Sequence, residues 1–157
     1  MIADRLTRHG ATSVLDIGCG PGQLACLLRD RGLGRYCGFD FSPKRIEQAR
    51  KVCPEYDFHV ADAFRTELFQ TCEYDTVLCT EFLEHVEGDL EVLRRIRPGA
   101  VVHGTVTNFP YMAHVRHFES AGQVRERYEP ILADLSVDAL AADGQGRTFF
   151  LIEGRTR

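Results

Sequence analysis

The chain has 157 residues, a formal net charge of −4, and 44% hydrophobic and 27% charged residues. That composition describes one ordinary globular domain, which at this length buries roughly 70% of its unfolded surface. No apolar run reaches the roughly 20 residues that span a bilayer, the opening Met1-Ile2-Ala3-Asp4-Arg5 leads into no signal-peptide core, and the mild acidity gives no reason to expect nucleic acid.

Val14-Leu15-Asp16-Ile17 reads as a buried strand, followed by the glycine-dense turn Gly18-Cys19-Gly20-Pro21-Gly22 and a helix opening at Gln23. Leu24, Leu27 and Leu28 give that helix its apolar face, and it stops near Gly32. Tyr36 to Asp40 predicts a second strand. Ser42 then caps a helix with Pro43 at its first position and Ile46, Ala49 and Cys53 on its buried side. Tyr56 to Val60 alternates like a third strand and ends at Ala61-Asp62. Tyr74 to Cys79 predicts a fourth, with Val86, Leu90, Leu93 and Ile96 at helical spacing behind it. Pro98-Gly99 turns into a fifth strand, Ala100 to Val106. Ser120-x-x-Gln123 is a capping box for a helix carrying Val124 and Tyr128, and 135–140 with 147–152 close the chain as a strand pair. About seven strands alternating with five or six helices predict an α/β fold, a doubly wound sheet with helices on both faces, in a single domain over 1–157. The six cysteines (19, 26, 37, 53, 72 and 79) form no C-x-x-C pair and read as reduced thiols of a cytoplasmic protein.

Ligands of such sheets sit at the carboxyl ends of the strands. The first strand delivers Asp16 and the glycines, which let the backbone turn sharply and approach a ligand closely. The second delivers Asp40, where an acidic residue can accept from ribose hydroxyls, and the third delivers Asp62, placed to accept from an exocyclic amine. The fourth delivers Cys79-Thr80-Glu81. Three carboxylates around one pocket repel a pyrophosphate but suit a ligand with a positive centre. Each aspartate also has an ordinary reading as a cap or turn residue. A dinucleotide wants G-x-G-x-x-G, whereas this chain carries D-x-G-x-G-x-G from Asp16 to Gly22.

That motif, with Asp40 closing the second strand and Ala61-Asp62 the third, resembles the class I S-adenosylmethionine-dependent methyltransferases. The resemblance covers nearly the whole chain. It implies a Rossmann-like seven-stranded sheet, mostly parallel with an antiparallel C-terminal strand, and S-adenosyl-L-methionine as cofactor. It also implies that Gly18, Gly20 and Gly22 cradle the methionine part, with Asp16 organising the loop or meeting the amino group. Asp40 and Phe41 would meet the ribose side, Asp62 and Ala63 the adenine, and Thr80 the edge of the cofactor.

Glu81-Phe82-Leu83-Glu84-His85 is the second unusual stretch. Were it helical, residues 81, 84 and 85 would share one face and could grip a divalent metal. E-x-x-E-H here resembles the metal-dependent small-RNA 3′-end 2′-O-methyltransferases, which also use a later histidine beside Phe-Glu; His117 in His117-Phe118-Glu119 is one residue out of that pattern. L-E-H-V resembles the ubiquinone-type and other small-molecule O-methyltransferases, which imply no metal. The expectation is therefore no bound metal, with Glu81, Glu84 and His85 as the alternative ligand set.

Residues 106–118 follow the fifth strand and are rich in aromatic and titratable groups, which suits a substrate wall. His114 or His117 could act as general base on a hydroxyl, or simply hold the loop; Arg116 could pair with an anionic substrate group or with Glu119. Arg125 and Arg127 read as solvated charges, and His9, His59 and His103 as structural. The asparagine-proline-proline-aromatic motif of amino-N-methyltransferases is absent after the fourth strand, which favours oxygen as the acceptor. The reading is a cytoplasmic methyltransferase acting on a small molecule, with neither membrane nor nucleic acid as a partner. The alternatives are a metal-dependent RNA 3′-terminal 2′-O-methyltransferase, or an idle cofactor-binding subunit. A homodimer or partner chain completing the pocket fits the thin substrate cap.

Overall fold

The computed structural model describes residues 2–157; Met1 lies outside them. Two compact units divide the chain, Met1–Leu78 and Cys79–Arg157. The first contains α1 (Ile2–Arg8), β1 (Ser13–Ile17), α2 (Gln23–Asp30), β2 (Arg35–Asp40), α3 (Pro43–Val52), β3 (Asp57–Val60), α4 (Leu68–Thr71) and, up to its last residue, β4 (Thr76–Cys79). The second contains a 3₁₀ turn (Leu83–His85), α5 (Asp89–Arg94), β5 (Val101–Thr107), α6 (Ala121–Tyr128), β6 (Leu132–Ala141) and β7 (Thr148–Thr156). The strand order is β3-β2-β1-β4-β5-β7-β6, a mixed seven-stranded sheet. The pairings β1–β2, β1–β4 and β2–β3 are parallel, while β7 runs antiparallel to both β5 and β6.

In the first unit every residue of β1 is buried, as a central parallel strand covered on both faces must be. Val14, Tyr36, Phe58 and Leu78 pack with Ala3 and Leu6 of α1, Ala25 and Leu28 of α2, and Ile46 and Ala49 of α3. Alternate residues point the other way, so Phe39 meets Phe69 of α4 edge to face with ring centres 5.8 Å apart. Ser42 caps α3 as its sequence position predicts, its hydroxyl accepting from the Arg45 N–H at 3.4 Å.

In the second unit, Asp89 is completely buried beneath α6. It accepts two hydrogen bonds from Arg127, at 2.9 and 2.6 Å, and one from the Tyr128 hydroxyl at 2.8 Å. Arg127 is therefore an internal anchor, not the solvated charge expected of an exposed helix face. Ser120 caps α6 through the Gln123 N–H, at 3.3 Å.

Two expectations about elements need correction, and α1 stands where the sequence raised no expectation. Val86 is extended, because the helix behind β4 begins only at Asp89. β6 and β7 run well beyond 135–140 and 147–152, since long antiparallel strands tolerate the bulge between Ala133 and Ser136, where Asp134 has φ 52°.

Candidate active site

The glycine turn is built as a close-approach cradle. Gly18, Gly20 and Gly22 all have positive φ (74°, 57° and 88°), a conformation that a Cβ disfavours. Gly22 has a second constraint: a Cβ there would stand 3.1 Å from the Ala49 Cβ, tighter than ordinary contact, so α3 would have to give way to admit one. The turn is pinned to the end of β2, with the Gly18 and Cys19 N–H groups donating to the Phe39 carbonyl at 2.8 and 3.0 Å.

Asp40 is 3% exposed and ties the cradle together. Its Oδ2 accepts from the Gly20 N–H at 3.2 Å and its Oδ1 from the Ser42 N–H at 2.8 Å. A carboxylate has about four acceptor sites, so capacity remains for a diol. Phe41, next in sequence, holds its ring in solvent at 77% exposure. Asp62 is half open, and its Oδ1 accepts the Phe64 N–H at 2.9 Å, a turn-forming role; Ala63 beside it is buried.

Asp16 is the most unusual group of this unit. It is 1% exposed, its Oδ2 accepts from the Tyr36 hydroxyl at 2.6 Å, and its Oδ1 has no partner. Burial pushes its carboxyl up to about 7; the Tyr36 hydrogen bond works against that and the nearby Asp40 carboxylate adds to it. Among the described residues no cation neighbours this carboxylate, so its ionised form is left uncompensated.

The second unit carries its own cluster. Ligating atoms of Glu84, His85 and His114 all lie within 4.8 Å of one another. Glu84 is fully buried, both its carboxylate oxygens lack a hydrogen-bond partner, and burial pushes it up to about 8. His85 Nδ1 lies 3.1 Å from the Ala113 carbonyl oxygen, and His114 Nδ1 lies 3.3 Å from the Phe109 carbonyl oxygen. The Thr107 hydroxyl also lies 3.3 Å from His114 Nδ1 while donating to the same Phe109 carbonyl; a carbonyl only accepts, so a neutral imidazole in either contact donates through Nδ1 and presents Nε2 as its acceptor. The two rings meet edge to face, 4.6 Å between centres.

Local backbone explains this convergence. Ala113 takes φ 71°, which turns its carbonyl onto His85, and the Val115 N–H donates to the Glu84 carbonyl at 2.8 Å. Arg116 then fastens the loop, donating to the carbonyls of Leu83 and Val86, both at 2.5 Å, and of Glu87 at 2.9 Å. It also lies 3.3 Å from the Asp89 carboxylate. These contacts fasten Arg116 to the loop and to Asp89 and not to Glu119, the ion pair read from sequence.

The alternative metal set changes membership. Glu81 has φ 51°, its N–H donates to the Thr105 hydroxyl at 2.8 Å, and it stands outside the cluster; His114 takes the third place. His117 is exposed and outside the cluster too. Thr80 is half-buried directly after β4. Two residues were missed by sequence reasoning, Tyr36 as the partner of Asp16 and Ala113 as the turn that aims His114. Gly38 was the available signal for Tyr36. A Cβ there would lie 2.8 Å from the Tyr36 ring, so the glycine is what lets that side chain pass along the strand.

The sequence profile of the methyltransferase domain family matches residues 14–99, more than half of the chain. The chain belongs to that family. Among curated relatives of this methyltransferase domain, the ubiquinone biosynthesis O-methyltransferase of Aromatoleum aromaticum is 31% identical over 120 residues, which is 71% of this chain and 51% of that enzyme. The trans-aconitate 2-methyltransferase of Streptomyces coelicolor is 30% identical over 133 residues, 76% of this chain and 43% of that enzyme. The chain thus spans about half the length of these relatives or less. The N-methyltransferase NodS of Bradyrhizobium japonicum, solved with S-adenosyl-L-homocysteine, superposes with a TM-score of 0.75 over 99% of this chain and 84% of its own, at 16% identity. That likeness shows the shared fold.

Proposed function

We propose that this methyltransferase domain binds S-adenosyl-L-methionine and transfers its methyl group to an oxygen of a small-molecule acceptor. The observation that carries the reading is Asp16, a buried carboxylate with an unpartnered oxygen at the foot of a three-glycine cradle. A dinucleotide pyrophosphate would be repelled there, whereas the ammonium of an amino-acid moiety completes it. Asp40 has acceptor capacity for the ribose diol, and Phe41 offers a flat apolar ring beside it.

When bound, the sulfonium donor supplies an electrophilic methyl whose departure needs no acid. The protein's task is alignment, plus removal of a proton if the acceptor is a hydroxyl. His114 Nε2 is available for that proton, with the Phe109 carbonyl holding its tautomer. Two relatives bear on the acceptor, one an O-methyltransferase of ubiquinone biosynthesis and one a trans-aconitate 2-methyltransferase. The test is transfer of tritiated methyl from the donor to a panel of phenols, carboxylic acids and amines. Label recovered as a base-labile ester or a stable ether supports oxygen; label only in amines contradicts it.

A second reading rests on the Glu84–His85–His114 cluster. A buried carboxylate with both oxygens idle, beside two imidazoles each oriented by a backbone carbonyl, has the donor set of a divalent metal site. A metal there would polarise a ribose hydroxyl, as in a metal-dependent RNA 3′-terminal 2′-O-methyltransferase. Titration of the chain with Mn²⁺, followed by electron paramagnetic resonance, decides it. Loss of free Mn²⁺ signal, reversed by His114→Ala, supports the metal reading; full signal at millimolar metal removes it.

A further inference from the structure

Tyr36 opposes Val14, two residues before Asp16, and Asp16 itself opposes Gly38. The Tyr36 side chain therefore has to run along the strand to reach Asp16, and bare Gly38 leaves it room to do so. Its ring is held from two sides, stacked on Tyr56 with ring centres 5.0 Å apart and tilted against Phe58 at 5.6 Å. The hydroxyl is thereby fixed 2.6 Å from Asp16 Oδ2, and burial keeps its proton on, so Tyr36 is the donor. Among the described residues, the other ionisable groups facing Asp16 are Asp40 at the end of β2 and the Cys19 thiol in the glycine turn, and neither is cationic.

We propose that Tyr36 is a positioning residue for the methyl donor: its hydroxyl engages Oδ2 and favours the carboxylate form of Asp16, while leaving Oδ1 to receive the donor's α-ammonium group. This rests on the reading of the cradle as a sulfonium-cofactor site. The carboxyl, pushed up to about 7, takes up a proton as the pH falls, and a protonated Asp16 no longer attracts an ammonium. Donor affinity therefore declines below neutrality. The Tyr36 hydrogen bond favours the charged form, so its removal moves that decline to higher pH.

The experiment is calorimetric titration of the full chain with S-adenosyl-L-homocysteine and, separately, with 5′-methylthioadenosine, which lacks the amino-acid moiety, from pH 6 to 8. Wild-type affinity for the homocysteine ligand should weaken about tenfold per pH unit below the midpoint, the limit for one proton, and methylthioadenosine should bind with a flat profile. Tyr36→Phe should shift the midpoint upward, and Asp16→Asn should bind the homocysteine ligand weakly at every pH. A purely structural role for Tyr36 would weaken both ligands equally and leave the midpoint in place, which overturns the proposal. A wild-type profile flat in pH, with Asp16→Asn unimpaired, overturns it while leaving the cofactor reading intact. Failure of the wild type to bind either ligand overturns both.

Discussion

Arg116 and Asp89 form the anchor that holds the histidine-bearing loop. The Arg116 guanidinium sits 3.3 Å from the fully buried Asp89 carboxylate and donates to three backbone carbonyls from residues 83, 86 and 87. Asp89 also receives Arg127 and Tyr128, so one carboxylate joins the loop, the segment after β4 and α6. Asp89→Ala would leave two guanidinium groups without their buried counter-charge. The expected cost is about 3–5 kcal/mol, the range for breaking a buried ion pair by removing one partner. Urea denaturation followed by circular dichroism measures it, and a loss under about 1 kcal/mol would show the network to be dispensable.

His114 and His117 should separate sharply. Whether His114 serves as base or as metal ligand, His114→Ala should lower the rate of methyl transfer by about 10²–10⁴, the range of general acid–base contributions. His117→Ala should leave the rate within about twofold, because His117 is exposed and stands apart from the Glu84 cluster. Single-turnover rates with saturating donor make the comparison; a larger loss at His117 would reverse the assignment.

Gly22→Ala should damage the cradle twice over. Its φ of 88° costs an L-residue roughly 1–2 kcal/mol, and the new Cβ would crowd the Ala49 Cβ at 3.1 Å. Denaturation midpoints should fall and affinity for the homocysteine ligand should drop together. An unchanged midpoint would mean that α2 and α3 adjust freely.

The stability of the ligand-free protein should depend on Asp16 in the direction opposite to that of a salt-bridged aspartate. Its folded value, about 7, lies above the usual ~3.9 of an unfolded aspartate, so the folded chain binds the extra proton between them. Stability from this group is present below pH 4 and is lost as the pH rises through 7. Asp16→Asn should flatten that part of the Tm-against-pH profile, and a variant profile parallel to wild type from pH 5 to 8 would refute the shift.

Features set by neighbouring residues are legible in this sequence, and features set by distant ones are not. The β1 run, the glycine turn, Ser42-Pro43 and the Ser120 cap are local signals, and each appears within a residue or two of its expected place. The fold followed from them. What escaped depends on side chains meeting across the chain. Helical periodicity put Glu81 with Glu84 and His85, but the left-handed turn at Glu81 breaks the periodicity, and His114 arrives from a loop some thirty residues on. Arg127 looked solvated because nothing in α6 reveals a buried Asp89. Asp62 was legible only as a carboxylate at a strand end, which fits its turn hydrogen bond to Phe64 as well as it fits a ligand contact.

One titration tests most directly the proposal that the cradle holds the methyl donor. Calorimetry at pH 8 of wild type and Asp40→Ala with S-adenosyl-L-homocysteine, and of wild type with NAD, compares the competing ligands. The account predicts saturable binding of the homocysteine ligand and none of NAD. Asp40→Ala should weaken binding by at least about tenfold, through lost ribose contacts and through release of the Gly20 N–H that Asp40 holds. Tighter binding of NAD, or an Asp40→Ala affinity equal to wild type, would contradict it.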